Sequence, residues 1–189
     1  MAILHDATLT PSKVELLAAW LPGQAWYPGG TGGFDVLGRF RFDDPAGAVG
    51  METFLLGLPR GVAVHVPLTY RGAAVPELVD ALVGTLEHSV LGPRWVYDAA
   101  ADPVYQAAAI DAIRSAGGHA RQFVQAADGT TSEVPSPASA IGRPGSGPGN
   151  ALRVVRRIDR AAPATDAPAL LAAWPGQETP VVVATIALS

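Results

Sequence analysis

Hydrophobic and polar positions along the chain switch between two periods. Val14, Leu17, Ala18 and Leu21 fall on one helical stripe, with Leu16 and Trp20 flanking it. Thr10 as cap and Pro11 at the first helical position predict the start of this helix, and Pro22-Gly23 predict its end. From Phe34 the period drops to two. Phe34, Val36, Phe40 and Phe42 share one predicted face, and Asp35, Arg39 and Arg41 the other. The turn residues of 43–47 then send a second strand back over 49–58. A third strand over 61–70 places Val62, Val64, Val66, Leu68 and Tyr70 on one face. Pro67 within it predicts an edge position or a bulge, because proline cannot donate to the ladder.

The rest of the chain repeats this alternation. A short helix is predicted over 76–82, then a hairpin with strands over 84–89 and 94–98, joined at Gly92-Pro93. Asp102-Pro103 is a second cap-plus-proline start. It opens a helix carrying Val104, Ala107, Ala108, Ile110 and Ile113, which Gly117-Gly118 ends. Strands follow over 119–126, 152–158, 170–174 and 181–188. Short strands with few crossover helices predict an α+β fold built on an antiparallel sheet. The length fits a single domain over 1–189. Within it, the Gly, Pro and Ser content of 128–150 predicts a flexible loop dispensable for folding.

Composition narrows the function classes. Hydrophobic residues make up 49% and charged residues 16%, which argues against disorder for most of the chain. A net charge of −4 leaves no basic footprint for nucleic acid. With no cysteine, disulfides, thiolate nucleophiles and Cys-type zinc sites are excluded. No apolar stretch is long enough to span a bilayer, and the first residues do not read as a signal peptide, so a cytoplasmic protein is expected. His5, His65, His88 and His119 show no metal-ligand spacing, and no metal or other cofactor is expected.

The hairpin holds the densest group of reactive side chains. Glu87, His88, Arg94 and Asp98 form a candidate functional cluster. With an even-length turn, Glu87 and Arg94 share one face as an ion pair. Leu86, His88, Trp95 and Tyr97 then share the other as core. Trp26, Tyr27, Trp95 and Tyr97 are the candidate ligand-stacking residues, since aromatic faces suit sugars.

Several segments together resemble the N-terminal cap domain of actinobacterial maltokinases. They are Thr8-Leu9-Thr10-Pro11, Leu16 to Pro22, Trp26-Tyr27, Phe42-Asp43-Asp44-Pro45, Val66 to Gly72, and the hairpin through Asp102-Pro103-Val104-Tyr105. The tail from Leu152 looks like the closing strands of the same unit. The resemblance implies a cystatin-like topology, a curved antiparallel sheet packed on a helix. It also implies a stand-alone, non-catalytic accessory or regulatory module in maltose, trehalose or α-glucan metabolism, with a sugar kinase or other α-glucan enzyme as partner. Kinase equipment is missing from the residues themselves. No lysine follows the run Gly29 to Gly33, and Val62-Ala63-Val64 ends on His65 where a strand lysine would sit. Two other readings stay open: a sugar-binding protein using the concave sheet face, and a small enzyme using Glu87, His88, Arg94 and Asp98.

Overall fold

The computed structural model describes every residue except 1, 5–6, 126–129, 146–148, 161–166 and 188–189. Its elements in chain order begin with β1 Ala2–Leu4, β2 Leu9–Thr10, α1 Lys13–Trp20, β3 Asp35–Phe42, β4 Gly50–Gly57 and β5 Ala63–Arg71. The hairpin β6 Leu82–His88 and β7 Gly92–Asp98 comes next, then α2 Pro103–Ser115. The chain continues through β8 Gln122–Gln125, β9 Thr131–Val134, β10 Ser139–Arg143, β11 Ala151–Val154, β12 Arg157–Ile158, β13 Ala169–Trp174 and β14 Gln177–Ala187. The fold is α+β, as the alternation predicts.

A curled antiparallel sheet in the order β2-β6-β7-β5-β4-β3 forms the centre, with β12 pairing onto β5. A second antiparallel sheet runs β10-β13-β14-β11, and β1, β8 and β9 make a third in which β1 and β8 are parallel. Both faces of the central sheet are covered. Phe54 and Leu56 of β4 and Val64, Val66 and Leu68 of β5 pack with Leu16, Leu17 and Leu21 of the α1 region. Met51, Leu55 and Ala63 face the other way, against Tyr105, Ala109 and Ile113 of α2 and Leu170, Trp174, Val181 and Val183 of the second sheet. The face predicted for Val62 to Tyr70 is the face found.

Three local expectations are corrected. Ser12, not Thr10, caps α1. Its hydroxyl accepts from the Glu15 N–H and the Glu15 carboxylate accepts from the Ser12 N–H, a reciprocal pair that satisfies two helix-start donors. Thr10 instead pairs with Glu87 in the sheet, and the helix turns Val14 outward, 46% exposed. In β3 a bulge between Val36 and Gly38 breaks the alternation, so Phe40 and Phe42 are core while Val36 is exposed. Pro67 lies in an interior strand. It falls between the stretch of β5 that pairs β12 and the stretch that pairs β7, so its missing N–H interrupts neither ladder.

The segment 128–150 also differs from its expectation. Residues 128–129 and 146–148 lie outside the described residues, but β9 and β10 occupy 131–134 and 139–143. Composition misleads here because both strands are held by pairing, β9 with β8 and β10 with β13. The Ala138 N–H donates to the Arg39 carbonyl and the Ser136 hydroxyl donates to the same oxygen, covering the outer edge of β3. Gly142 presses directly on the end of α2: a Cβ there would lie 1.8 Å from the Ala112 carbonyl oxygen. Helix and strand can meet this closely only without a side chain.

His65 ties the central sheet to the second sheet. It is fully buried, stacks on Phe40 at 6.5 Å, and its Nδ1 lies 2.9 Å from the Val183 carbonyl, which it meets as a donor. Burial, and then the positive charge of Arg156, push its pKa down to about 3. Above about pH 6.5 the ring is neutral in folded and unfolded chains alike. As pH falls from there toward 3, only the unfolded chain takes up the proton, so stability falls.

Two outcomes are expected. Gly142→Ala should lower stability by at least about 2 kcal/mol in denaturant unfolding, as overpacking against backbone does. A fully tolerated alanine would mean that α2 and β10 do not meet as described. His65→Asn, which retains a donor for Val183, should flatten the loss of stability between pH 6.5 and 3. An unchanged slope would assign that loss to other groups.

Candidate functional site

A cleft of about 490 Å³ opens between the start of α1, the 43–50 turn and the β6–β7 hairpin. Two of its lining cations, Lys13 and Arg41, and the lining Tyr70 converge on Glu52 of β4, which lies beneath them and is only 3% exposed. A carboxylate that deep requires partners, and the fold supplies them from two strands and a helix. Lys13, in the first turn of α1, donates to Oε2, and Arg41 Nη2 of β3 donates to Oε1 at 3.1 Å. Arg39 Nη1 stands 3.7 Å from Oε1, and the Tyr70 hydroxyl of β5 donates to Oε2 at 3.4 Å. The Lys13 ammonium also lies over the Tyr70 ring, 5.0 Å from its centre.

Burial works to raise the Glu52 pKa, but Lys13 and Arg41 outweigh it and hold the carboxyl below its ordinary value. Burial lowers the Lys13 ammonium below its ordinary value, against the opposing pull of Glu52. Burial, reinforced by the Glu52 charge, pushes the Tyr70 hydroxyl well up. The Glu52 carboxyl thus stands among three basic side chains and a phenol.

The wall of the cleft is shaped by Asp44, whose carboxylate accepts from the backbone N–H groups of Ala46, Ala48 and Val49. The opposite wall is the hairpin, and its register decides which side chains enter. His88 pairs with Gly92 and Leu86 with Arg94, so the turn has three residues, Ser89 to Leu91. Gly92 takes a φ of 73°, and the His88 Nδ1 accepts from the N–H groups of Val90 and Leu91 at 3.2 Å. The odd-length turn corrects the parity expected from the sequence. Leu86, His88 and Arg94 share the cleft face, while Glu87 goes to the other face with Trp95 and Tyr97. Arg94 lies across Gly72, its Nη1 2.9 Å from where a Cβ there would stand.

The four residues of the sequence cluster therefore do not converge. His88 and Arg94 line the cleft, Glu87 is exposed on the opposite face, and Asp98 pairs with Arg156 at 2.5 Å. The aromatic candidates divide as well. Trp26 packs edge-on against Trp20 and Tyr27, and Arg156 lies 4.5 Å over its ring. Tyr27 is buried in the core under α1. Tyr97 is buried with its hydroxyl accepting from the Val75 N–H at 2.8 Å, and Trp95 is half-buried beside it. Leu16, Leu17 and Leu21 cover the sheet face that carries Phe54, Leu56, Val64, Val66 and Leu68. His5 lies outside the described residues. Among the described residues, no three His, Asp or Glu side chains gather as metal ligands, and no helix is long and apolar enough to cross a membrane.

Sequence reasoning missed Lys13, Arg41, Glu52 and Tyr70. The available signal was a lone charged residue, Glu52, inside the apolar run of β4.

The five strands β3 to β7 and the turns between them are the part of the chain that a known family shares. Residues 20–102 match the maltokinase N-terminal cap domain. The cap-like region runs from the last residue of α1 to Asp102, the residue that caps α2. It contains Arg41, Glu52, Tyr70, His88 and Arg94, while Leu9 and Lys13 precede it. Comparison with curated proteins found no match.

Glu52→Gln should destabilise the chain by about 3 kcal/mol, because it leaves three cations without their counter-charge. Lys13→Met should cost less, since Arg41 and Arg39 still face the carboxylate. The Glu52 contribution is complete above its unfolded value of about 4.3 and is lost as pH falls through its lower folded value. The variant should therefore lose less stability than wild type on acidification below that point. Thermal melts across pH measure both effects, and equal acid sensitivity in the two chains would remove Glu52 from the account.

Proposed function

We propose that this chain is a non-catalytic accessory or regulatory module that associates with a maltokinase-type enzyme in maltose, trehalose or α-glucan metabolism. The observation that carries the reading is the cap match over 20–102, which spans β3 to β7 of the central sheet without a phosphotransfer residue within it. His65, at the position where a nucleotide-binding lysine would sit, supports it. The ring is fully buried against the Val183 carbonyl and cannot reach a phosphate. The separation of Glu87 and Asp98 from His88 and Arg94 weighs against an acid-base enzyme built on those four groups.

The test is to add the purified chain to a maltokinase from the same organism. The expected outcome is co-elution or a changed rate of maltose phosphorylation, with no ATP turnover by the chain alone. Magnesium-dependent ATP hydrolysis by the isolated chain would overturn the reading, as would a kinase that neither binds the chain nor responds to it.

A further inference from the structure

The cleft holds more cationic donors than the fold uses. Around Glu52, Lys13, Arg39 and Arg41 set three positive charges against one negative. The Arg41 Nε is buried and has no hydrogen-bond partner among the described residues. Arg94 stands on the same sheet face, beyond Tyr70, and its Nη1 makes a 3.3 Å contact with the carbonyl of its own neighbour Pro93. Asp43 and Asp44 bring two negative charges to the rim, and backbone N–H groups of 46–49 hold the Asp44 carboxylate in the turn. Tyr70 and Leu86 supply apolar lining beside the cations, on the sheet face that carries Arg41. The volume is that of a small-molecule site.

We propose that this cleft binds a small phosphomonoester. The phosphate is taken by Arg41 and Arg94 with Lys13 as a third donor, and the carbon body lies against Tyr70 and Leu86. Two guanidiniums suit a phosphate dianion, since each presents a planar fork of donors to its oxygens. Glu52 keeps Lys13 and Arg41 in place, so that the ligand meets them already oriented. The site stands whether or not the chain partners a kinase, because its groups belong to this fold.

The experiment is calorimetric titration of the whole chain with three probes: phenyl phosphate, inorganic phosphate and benzyl alcohol. Phenyl phosphate should bind saturably at one site, more tightly than inorganic phosphate, and benzyl alcohol should show no comparable affinity. Added salt should weaken binding. Arg94→Gln, a half-exposed position whose loss leaves the Glu52 network whole, should weaken phenyl phosphate at least about tenfold, as losing one charge-assisted hydrogen bond does. Its melting temperature should match wild type. Arg60→Gln, outside the cleft, should bind as wild type. No saturable binding of phenyl phosphate, or equal affinity in Arg94→Gln, would overturn the site. Equal affinity for phenyl phosphate and inorganic phosphate would overturn the role of the apolar wall. Benzyl alcohol binding as tightly as phenyl phosphate would overturn the role of the cations.

Discussion

The two strands β4 and β5 are buried on both faces, and most of the molecule follows from that. A strand covered on one side alternates apolar and polar residues, but these two must be apolar on both. Any polar side chain they retain needs a partner inside the protein, since an unsatisfied one costs about 1–3 kcal/mol. Of the four that are buried, Glu52, Thr53, His65 and Thr69, three reach a different neighbour each. Glu52 takes Lys13 from α1. Thr69 donates to Asp102, the cap of α2, which also holds Arg71 through two hydrogen bonds. His65 donates to Val183 of β14. The polar residues of the central strands thus fix where α1, α2 and the second sheet sit, while the apolar ones supply the burial.

Much of this arrangement is legible in the sequence. The strands of 34–42, 49–58 and 61–70 are visible because their alternation or apolar density is strong. The second helix is visible because Asp102 and Pro103 stand together at its start. What escapes is whatever depends on a single residue of offset. Thr10-Pro11 and Ser12 both look like helix starts, and only the reciprocal bond with Glu15 decides between them. The face of Arg94 depends on whether the hairpin turn has an odd or even number of residues. The strands β9 and β10 escape for another reason. β9 is paired by β8, while β10 is held by β13 and by the end of α2, contacts that its own composition does not announce.

The site was half legible. His88 and Arg94 stand out in the hairpin, and both line the cleft. Lys13 and Glu52, the centre of its charge, lie 39 positions apart, and no local pattern joins them. They meet because β4 runs beneath α1. The cap-like region supplies the carboxylate, one arginine from β3 and one from the hairpin, whereas the lysine comes from the helix that precedes it. The ion network therefore spans the boundary of the matched region, and a fragment cut to 20–102 would carry the carboxylate without its closest cation.

Lys13 is the only lysine among 189 residues. The chain consequently offers amine-selective reagents one side-chain target, and that target sits in a cleft with its nitrogen engaged by a carboxylate. Reactivity there depends on the ammonium leaving Glu52 and shedding its proton. Acylation at this position would convert a cation into a neutral, bulkier group and leave Arg41 and Arg39 alone on the carboxylate. A single covalent mark would thus serve as a built-in reporter, its yield measuring how often the Lys13 amine is free of Glu52.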